Sequence, residues 1–380
     1  MKYLTNSRIG TASQKQKSRT ISVMLSLVAV AALVRADRAG LAQSVDKADE
    51  PVSGLINPQA VVFSPIAAKA YTVDTGAGEV VIANDATNST SRVKVGAGPV
   101  SIAVDTGNGR AYVANAGDGT VSVIDGKTDA VLATLPVGAH PYSIASDSTA
   151  GKIYVSRTYS DQLMIIDAET NSVTGIKAGS PDLLAVNPRT HTVYLLGYEG
   201  GDLRVLNETS HELTNHSAGM HAWGIAVNPD TGIVYVARPG NAEVAVFYPG
   251  SDTARLIAAG QIPCALAVNP RTDTIFVVNY GSNFVTAIDG VKGHAIGQIP
   301  TGHRPEAIAV DAEHNLVYVA NTKGNSVTVI DGSTYKVLAT LKAGQAPYAL
   351  AINPIAGKLH VANLDQTAYT TIDVSGHPIQ

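Results

Sequence analysis

A short segment of the form YVAN returns along this chain at an almost constant interval, and this repeat restricts the possible folds more than any other feature. YVAN itself occupies 112–115 and 318–321. Related segments begin at 71, 154, 194, 235, 276 and 360, so consecutive copies start 40 to 42 residues apart. A period near forty with short strand-like segments is typical of a β-propeller array. The chain is therefore expected to be all-β, with one blade for each repeat.

Each repeat contains four strand-like segments. In one representative copy they cover 99–104, 111–114, 120–124 and 130–137. Apolar residues alternate there with small or polar ones, as expected of half-buried antiparallel strands. Gly, Asn, Asp and Pro lie between the segments and supply the backbone angles that tight turns need. The pattern predicts blades of about 41 residues with four antiparallel strands each.

The two ends of the repeat array complement each other. The last copy stops after its third strand and so lacks a fourth. Residues 50–56, which precede the first copy, form an extra strand-like segment that could fill this place. We therefore expect the N-terminal strand to join the last blade and close the ring, which removes exposed sheet edges. Eight copies predict a single closed propeller of eight blades over 50–375. Seven blades, with the weakly matching first copy displaced, is the alternative.

The N-terminus has the features of an export signal. A basic leader precedes an apolar run over 21–34, and Ala-Gly-Leu-Ala at 39–42 offers a small-residue cleavage site. Fourteen residues are short for a membrane span, which needs about 20. The prediction is a signal peptide over 1–42 and a linker over 43–49, and the C-terminal tail covers 376–380. An uncleaved membrane anchor is the alternative, and the protein is expected in the periplasm, outside the cell or at its surface.

Charge argues against broad binding to nucleic acids. Residues 1–42 hold seven of the 27 basic residues and one of the 31 acidic residues, so the remainder carries about ten net negative charges. An acidic body disfavours extended contact with phosphate backbones or anionic lipids. We therefore expect no broad nucleic-acid surface. Membrane contact is expected only through residues 21–34 if they are not removed.

The repeat resembles a known family. The recurring motif combines YVAN, a V-x-V-I-D strand end and a G-x-x-P-x-x-I-A-V strand start, and it covers roughly residues 50–375. It is similar to the YVTN-repeat β-propellers of exported bacterial proteins and archaeal surface-layer proteins. The resemblance implies a propeller scaffold but says little about chemistry, because one fold serves many functions.

Alignment of the repeats locates a candidate site at one end of the central channel. The position after the Pro of G-x-x-P forms a ring of side chains that differ between blades: Gln59, Val100, Tyr142, Asp182, Trp223, Cys264, Glu306 and Tyr348. Variation inside a repeated frame is where an asymmetric site is expected. The position before the Pro and the end of each YVAN-type segment add cationic and imidazole side chains to the same end.

Ten residues make up the predicted ligand site. They combine aromatic rings, cations and two carboxylates: His140, Tyr142, Arg157, Asp182, His221, Trp223, Arg238, Arg304, Glu306 and Tyr348. Such a set suits a sugar, an anionic peptide or another polar ligand, through stacking and bidentate arginine contacts. The alternative is that the arginines only neutralise Asp182 and Glu306.

The sequence contains no recognised catalytic, metal or cofactor motif. It lacks HExxH, the G-x-S-x-G elbow, the P-loop, the dinucleotide fingerprint and the haem-attachment motif. Its single cysteine, Cys264, excludes an intrachain disulfide, and it is expected to be a small buried apolar residue. We therefore expect no catalytic residues, no metal and no cofactor.

These observations favour an exported, non-enzymatic, monomeric propeller that binds a protein, a peptide or a polar small molecule at its channel mouth. Two alternatives stay open. One is a metal-assisted lactonase or sugar hydrolase, for which Asp182 and Glu306 with Asn115 or Asn279 are the available ligands. The other is a redox-associated periplasmic propeller that works beside a quinone or haem protein.

Overall fold

Four-stranded antiparallel sheets recur along the chain, one for each repeat. The computed structural model describes residues 52–53, 58–197, 201–364 and 368–376, and all its regular elements there are strands. The predicted leader 1–42 and linker 43–49 lie outside the described residues, as does most of the tail. Among the described residues, no helix reaches the length and apolarity of a membrane span.

The first four blades contain strands β2 to β17 in simple sequence order. Their bounds are β2 (Pro58–Ser64), β3 (Lys69–Asp74), β4 (Glu79–Asn84), β5 (Ser89–Lys94), β6 (Pro99–Asp105), β7 (Arg110–Asn115), β8 (Thr120–Asp125), β9 (Val131–Pro136), β10 (Pro141–Asp147), β11 (Lys152–Arg157), β12 (Gln162–Asp167), β13 (Val173–Lys177), β14 (Leu183–Asn187), β15 (Thr192–Leu196), β16 (Asp202–Asn207) and β17 (Leu213–Ser217).

Blades 5 to 7 contain β18 to β29, and blade 8 combines β30 to β32 with β1. The bounds are β1 (Val52–Ser53), β18 (Gly224–Val227), β19 (Val234–Arg238), β20 (Glu243–Phe247), β21 (Arg255–Ala258), β22 (Pro263–Asn269), β23 (Thr274–Asn279), β24 (Phe284–Asp289), β25 (His294–Pro300), β26 (Pro305–Asp311), β27 (Leu316–Asn321), β28 (Ser326–Asp331), β29 (Val337–Lys342), β30 (Pro347–Asn353), β31 (Lys358–Asn363) and β32 (Ala368–Asp373).

The predicted strands of the representative repeat are confirmed within one or two residues at each end. Burial explains why they differ in composition. The second strand of a blade, such as β27, is buried along its whole length because blades cover both of its faces. The fourth strand, such as β29, is largely exposed at the outer rim. The YVAN-type segment is accordingly apolar on both faces, whereas the fourth strand is not.

Eight sheets form a closed ring, so the prediction of eight blades is confirmed. The first strand of every blade lies against the first strand of the next, including β30 of blade 8 against β2 of blade 1. A cluster of buried apolar side chains fills each junction between neighbouring blades. The core is thus spread around the ring, and the first strands surround a central channel.

The predicted closure is also observed. Strand β1 pairs with β32 antiparallel, with Val52 opposite Tyr369 and Ser53 opposite Ala368. The fourth strand of the last blade is therefore supplied from the start of the propeller. This arrangement ties the two ends of the array together and pairs the free edge of β32.

Candidate functional site

A bulge at the start of the first strands explains how the predicted ring of side chains arises. In blades 6, 7 and 8, the opening proline pairs with the second strand, and pairing resumes two residues later. The skipped residues are Cys264, Glu306 and Tyr348. A bulge leaves one residue outside the ladder and re-aims its side chain. We call the end of the channel at these bulges the mouth.

Side chains from separate blades meet inside the mouth. Tyr348, from blade 8, is 4% exposed. Burial, and then the proximity of Glu306, Tyr142 and Cys264, raises the pKa of Tyr348 well above 10.0. Because Tyr142 enters from blade 3, its influence on Tyr348 reaches across the channel. The half-buried Tyr142 and the buried Glu306, Tyr348 and Cys264 therefore form one group, which we call the mouth cluster.

Both tyrosines and the cysteine of the mouth cluster are neutral at physiological pH. Burial raises the pKa of Tyr142, and the nearby charge of Asp182 raises it further. Burial also raises the pKa of the Cys264 thiol, which confirms the expectation of a buried cysteine. A thiol without thiolate character is a poor nucleophile and a poor metal ligand. These groups therefore offer hydroxyl and sulfhydryl contacts and no charge.

Glu306 is the buried acid of the mouth cluster, and its Oε2 accepts a hydrogen bond from Thr322. The Thr322 hydroxyl lies 2.8 Å from both Glu306 Oε2 and the Pro347 carbonyl oxygen. A hydroxyl has one hydrogen to donate, and a carbonyl oxygen can only accept. The Thr322 hydroxyl therefore donates to one of these two oxygens at a time, and its bond to Glu306 favours the carboxylate form.

The same threonine bond occurs in another blade, where no carboxyl group competes for it. Thr75 Oγ1 donates to the Pro99 carbonyl oxygen across the junction between blades 1 and 2. The bond from Thr322 to Pro347 thus belongs to the repeated frame. Burial raises the pKa of Glu306 above its ordinary value of 4.5, against the opposing effects of Thr322, Arg304 and Lys323. Burial is thus the largest influence on this carboxyl group, and it favours the protonated form.

Arg304 does not fully neutralise this acid. Its Nε lies 3.5 Å from Glu306 Oε1, which is an ion-pair distance but too long for a good hydrogen bond. Its guanidinium stacks instead over the Tyr280 ring, 4.2 Å from the centroid. A cation over an aromatic face is held by the ring quadrupole. Arg304 thus lies at the rim of the mouth, partly drawn away from Glu306.

The raised pKa of Glu306 predicts how stability changes with pH. The folded protein keeps this proton at a pH where the unfolded chain has released it. The free energy of unfolding therefore falls as pH rises from about 4.5 through the folded pKa, with a slope of at most about 1.4 kcal/mol per pH unit. Glu306→Gln mimics the protonated acid and should lose this component.

Urea unfolding of wild type, Glu306→Gln and Glu243→Gln across this pH range measures the effect. Glu243 is a suitable control because it pairs with Arg238 outside the mouth cluster. The wild type and Glu243→Gln should lose stability relative to Glu306→Gln as pH rises. Parallel curves for all three proteins would mean that Glu306 ionises normally.

Arg157 and Arg238, both predicted ligand contacts, support loops of their own blades. Arg157 Nη1 donates to the Val137 carbonyl oxygen at 3.3 Å, and Arg238 Nη1 bonds to Glu243 Oε2 at 2.9 Å. Each guanidinium covers a glycine of the loop before the first strand. A Cβ at Gly138 would lie 2.7 Å from Arg157 Nη1. The structure does not bring these arginines into the mouth cluster.

The asparagines at the same repeat position have the same task. Asn115 Nδ2 donates to Thr120 and Ser122, and Asn279 Oδ1 accepts the backbone N–H of Gly260. Both side chains are fully buried within their own blades. They are therefore not assembled with Asp182 and Glu306, as the hydrolase alternative would require.

His140 and His221 lie on the turns that precede the first strands. Both have positive φ, 55° and 58°, and both are exposed. In this turn the carbonyl oxygen of His140 accepts a hydrogen bond from the N–H of Thr158, the residue directly after the YVAN-type segment. His140 lines a shallow cleft of about 380 Å³ between turns and is not part of the mouth cluster.

Trp223 and Asp182 complete the set of predicted residues. Trp223 packs against the apolar cluster that contains Cys264, so it lies beside the mouth cluster. Asp182 acts on the Tyr142 phenol, as described above, and its carbonyl oxygen accepts a bond from Ser156 Oγ at 2.8 Å. Sequence alignment missed Thr322 and Tyr280, although both follow a YVAN-type segment directly.

Comparison with known proteins identifies similar folds at low sequence identity. No protein-family model matches the sequence, and neither does any curated protein. Hydrazine synthase from Kuenenia stuttgartiensis is 17% identical with a TM-score of 0.59, covering 84% of this chain and 96% of that one. A structure titled dihydro-heme d1 dehydrogenase NirN in complex with DHE is 14% identical with a TM-score of 0.70, covering 86% and 76%.

These comparisons correct the favoured functional prediction. At such identities the likeness shows the fold alone, namely a β-propeller. Both similar structures are nevertheless named as enzymes, so the prediction of a non-enzymatic binding scaffold is wrong. The chain is a closed, eight-bladed β-propeller, and these two similar structures carry enzyme names.

Proposed function

We propose that this protein is an exported, redox-associated propeller enzyme whose substrate site is the channel mouth. Glu306 exchanges a proton there with the bound substrate. The observation that carries this proposal is the burial of a carboxyl group with a raised pKa beside two neutral tyrosines from different blades. Titratable groups with shifted pKa values in a concave site are typical of functional centres.

The chemistry of the mouth cluster favours a small, largely uncharged and conjugated substrate. Tyr142, Tyr348 and Trp223 offer aromatic surface, while the protonated acid and the phenols offer hydrogen bonds. A substrate that gains electrons also takes up protons, and a neutral acid in an apolar site can supply one. Glu306 then becomes a carboxylate and recovers its proton from solvent. The electrons come from a separate redox protein.

A resident haem does not suit the residues of the mouth. One similar structure is titled as a haem d1 dehydrogenase, so this group is the natural one to test. Haem iron takes an axial histidine, cysteine thiolate, methionine or tyrosine. Burial holds Cys264, Tyr142 and Tyr348 in their protonated forms, and His140 and His221 are exposed on turns. The residues of the mouth are therefore not suited to hold a haem.

Membership of the YVTN-repeat family and export to the periplasm belong to the same proposal. The recurring YVAN segments at a 40 to 42 residue spacing support the first. The basic leader followed by an apolar run supports the second. Redox-associated periplasmic function is consistent with both, and with the enzyme names of the similar propellers.

The single tryptophan of the chain provides a direct test. Trp223 is the only tryptophan, and it lies beside the mouth cluster, so its fluorescence reports on that site without labelling. Titration with a water-soluble benzoquinone should give a saturable change in emission. Glu306→Ala and Tyr348→Phe should each weaken the affinity by about fivefold to twentyfold, the loss expected for one hydrogen bond.

Glu243→Gln provides the matched control, because this glutamate lies in the Arg238 pair of blade 5. Its affinity for the quinone should equal that of the wild type. An emission change that never saturates would contradict the proposal. Equal quinone affinities in all four proteins would also contradict it, because they would place quinone binding elsewhere.

A further inference from the structure

A second group of ionisable side chains lies at the end of the propeller opposite the mouth. Asp147 ends β10 of blade 3, His191 lies in the turn between β14 and β15, and Glu208 follows β16 in blade 4. One ligand atom from each residue lies within 4.8 Å of the other two. Among the described residues, this is the one group of three such side chains with that geometry.

The geometry points to a binding site for a divalent transition-metal ion, held by Asp147, His191 and Glu208. Carboxylates and imidazole are the usual zinc ligands at about 2.0–2.2 Å, and ligands in a tetrahedral shell lie roughly 3.3 Å apart. His191 Nδ1 is now 2.9 Å from Asp147 Oδ2. An ion between them requires only a small opening of this contact.

Backbone bonds already orient the three ligands. Asp147 Oδ1 accepts the N–H groups of Thr149 and Ala150 and the Thr149 hydroxyl, which leaves Oδ2 directed at His191. The Glu208 N–H donates to the His191 carbonyl oxygen at 3.0 Å and joins the two loops. Hydrogen bonds of this kind hold ligands in place around metal ions.

A tyrosine packs beside the group. The Tyr154 side chain is fully buried, and its hydroxyl is the hydrogen-bond partner of the Glu208 carboxyl group. Burial, then Glu208 and then Asp147, raises the pKa of the Tyr154 phenol, so its oxygen is close to both carboxylates. Two carboxylates share this space, and His191 is their one cationic neighbour among the described ion pairs.

Comparison within the repeat separates this group from ordinary junction contacts. Tyr235 and Tyr318 occupy the same repeat position as Tyr154, and their hydroxyls are buried without a partner, but no three-ligand group lies beside them in the described chain. In blade 7, His314 Nδ1 is 2.7 Å from Asp311 Oδ2, also at the end of a first strand. That pair lacks a third ligand and serves as the internal control.

Calorimetric titration of the purified protein with zinc chloride tests the site. We expect one zinc ion per chain, and at least about tenfold weaker binding in Glu208→Gln and in His191→Asn. Asparagine is chosen because His191 has a φ of 48°, a conformation that asparagine tolerates. Circular dichroism confirms that both variants remain folded.

His314→Asn removes an equivalent imidazole from the control pair and should leave zinc affinity unchanged. Calcium should bind far more weakly than zinc, because it prefers sites made only of oxygen. Absence of zinc binding in the wild type would show that Asp147 and His191 are only a junction contact. Equal losses in His191→Asn and His314→Asn would equally overturn the proposal.

Discussion

Replacing Phe276 with alanine is expected to lower the free energy of unfolding by about 3–5 kcal/mol. Phe276 is fully buried in β23, where blade 6 meets blade 7, and it packs with the neighbouring sheet and the Tyr335 ring. The substitution removes apolar area and leaves a cavity between two sheets that cannot easily approach each other. Urea unfolding monitored by circular dichroism measures the loss.

Phe276→Leu is the matched control because it keeps most of the volume. It should cost less than half as much as alanine, since the cost grows with the cavity left behind. A loss below about 1 kcal/mol for Phe276→Ala would show that the junction between blades 6 and 7 collapses around the vacancy.

Tyr369→Ala is expected to destabilise the closed ring by a similar amount, about 3–5 kcal/mol. Tyr369 lies in β32 opposite Val52 of β1, and it is buried against blade 1 beside Ala70 and Val81. Its ring also stacks on His360, with centroids 5.6 Å apart. The substitution therefore weakens both the last blade and its junction with the first.

Tyr369→Phe separates the ring from the hydroxyl group, which contacts His360 Nδ1. It should cost about 1–3 kcal/mol, the usual effect of leaving a buried partner unsatisfied. If Tyr369→Ala and Tyr369→Phe lower the free energy of unfolding equally, the hydrogen bond of the hydroxyl group stabilises the junction and the packing of the ring does not. Limited proteolysis should cut Tyr369→Ala first in blades 8 and 1 if closure depends on this contact.

The fold was predictable because its information is periodic. The YVAN segment marks the strand that lies between two others in each blade, and its apolar character follows directly from burial on both faces. The missing fourth strand at the C-terminus then implied the pairing of β1 with β32, which is observed. Bulges were not predictable, because a single skipped residue does not change the spacing of the repeat.

The location of the candidate site was predictable from the sequence, but the residues that belong to it were not. Alignment located Tyr142, Glu306 and Tyr348 in one ring, and the structure brings them together. It could not show that Arg157 and Arg238 turn back onto their own loops. The sequence does contain a matching pattern, since a glycine precedes each of these arginines by 19 residues, at 138 and 219. Only the distances between each glycine and its arginine show that the two are in contact.

The group around His191 was missed for a related reason. Its three ligands are separated by 44 and 17 residues in two blades, and no local spacing motif joins them. The repeat alignment selects histidines at the mouth, where the side chains vary most between blades. His191 lies in a turn at the other end of the propeller. Asp147 lies beside His191 only because blade 3 packs next to blade 4 in the ring.

The central claim, a raised pKa of Glu306 in the channel mouth, is tested most directly by infrared difference spectroscopy. Spectra of the wild type and of Glu306→Gln are compared about one pH unit above 4.5, the ordinary glutamate value. The account predicts a carbonyl band of a protonated carboxylic acid in the wild type that is absent from Glu306→Gln and retained in Glu243→Gln. Identical spectra in this region for the wild type and Glu306→Gln would show that Glu306 is ionised and contradict the account.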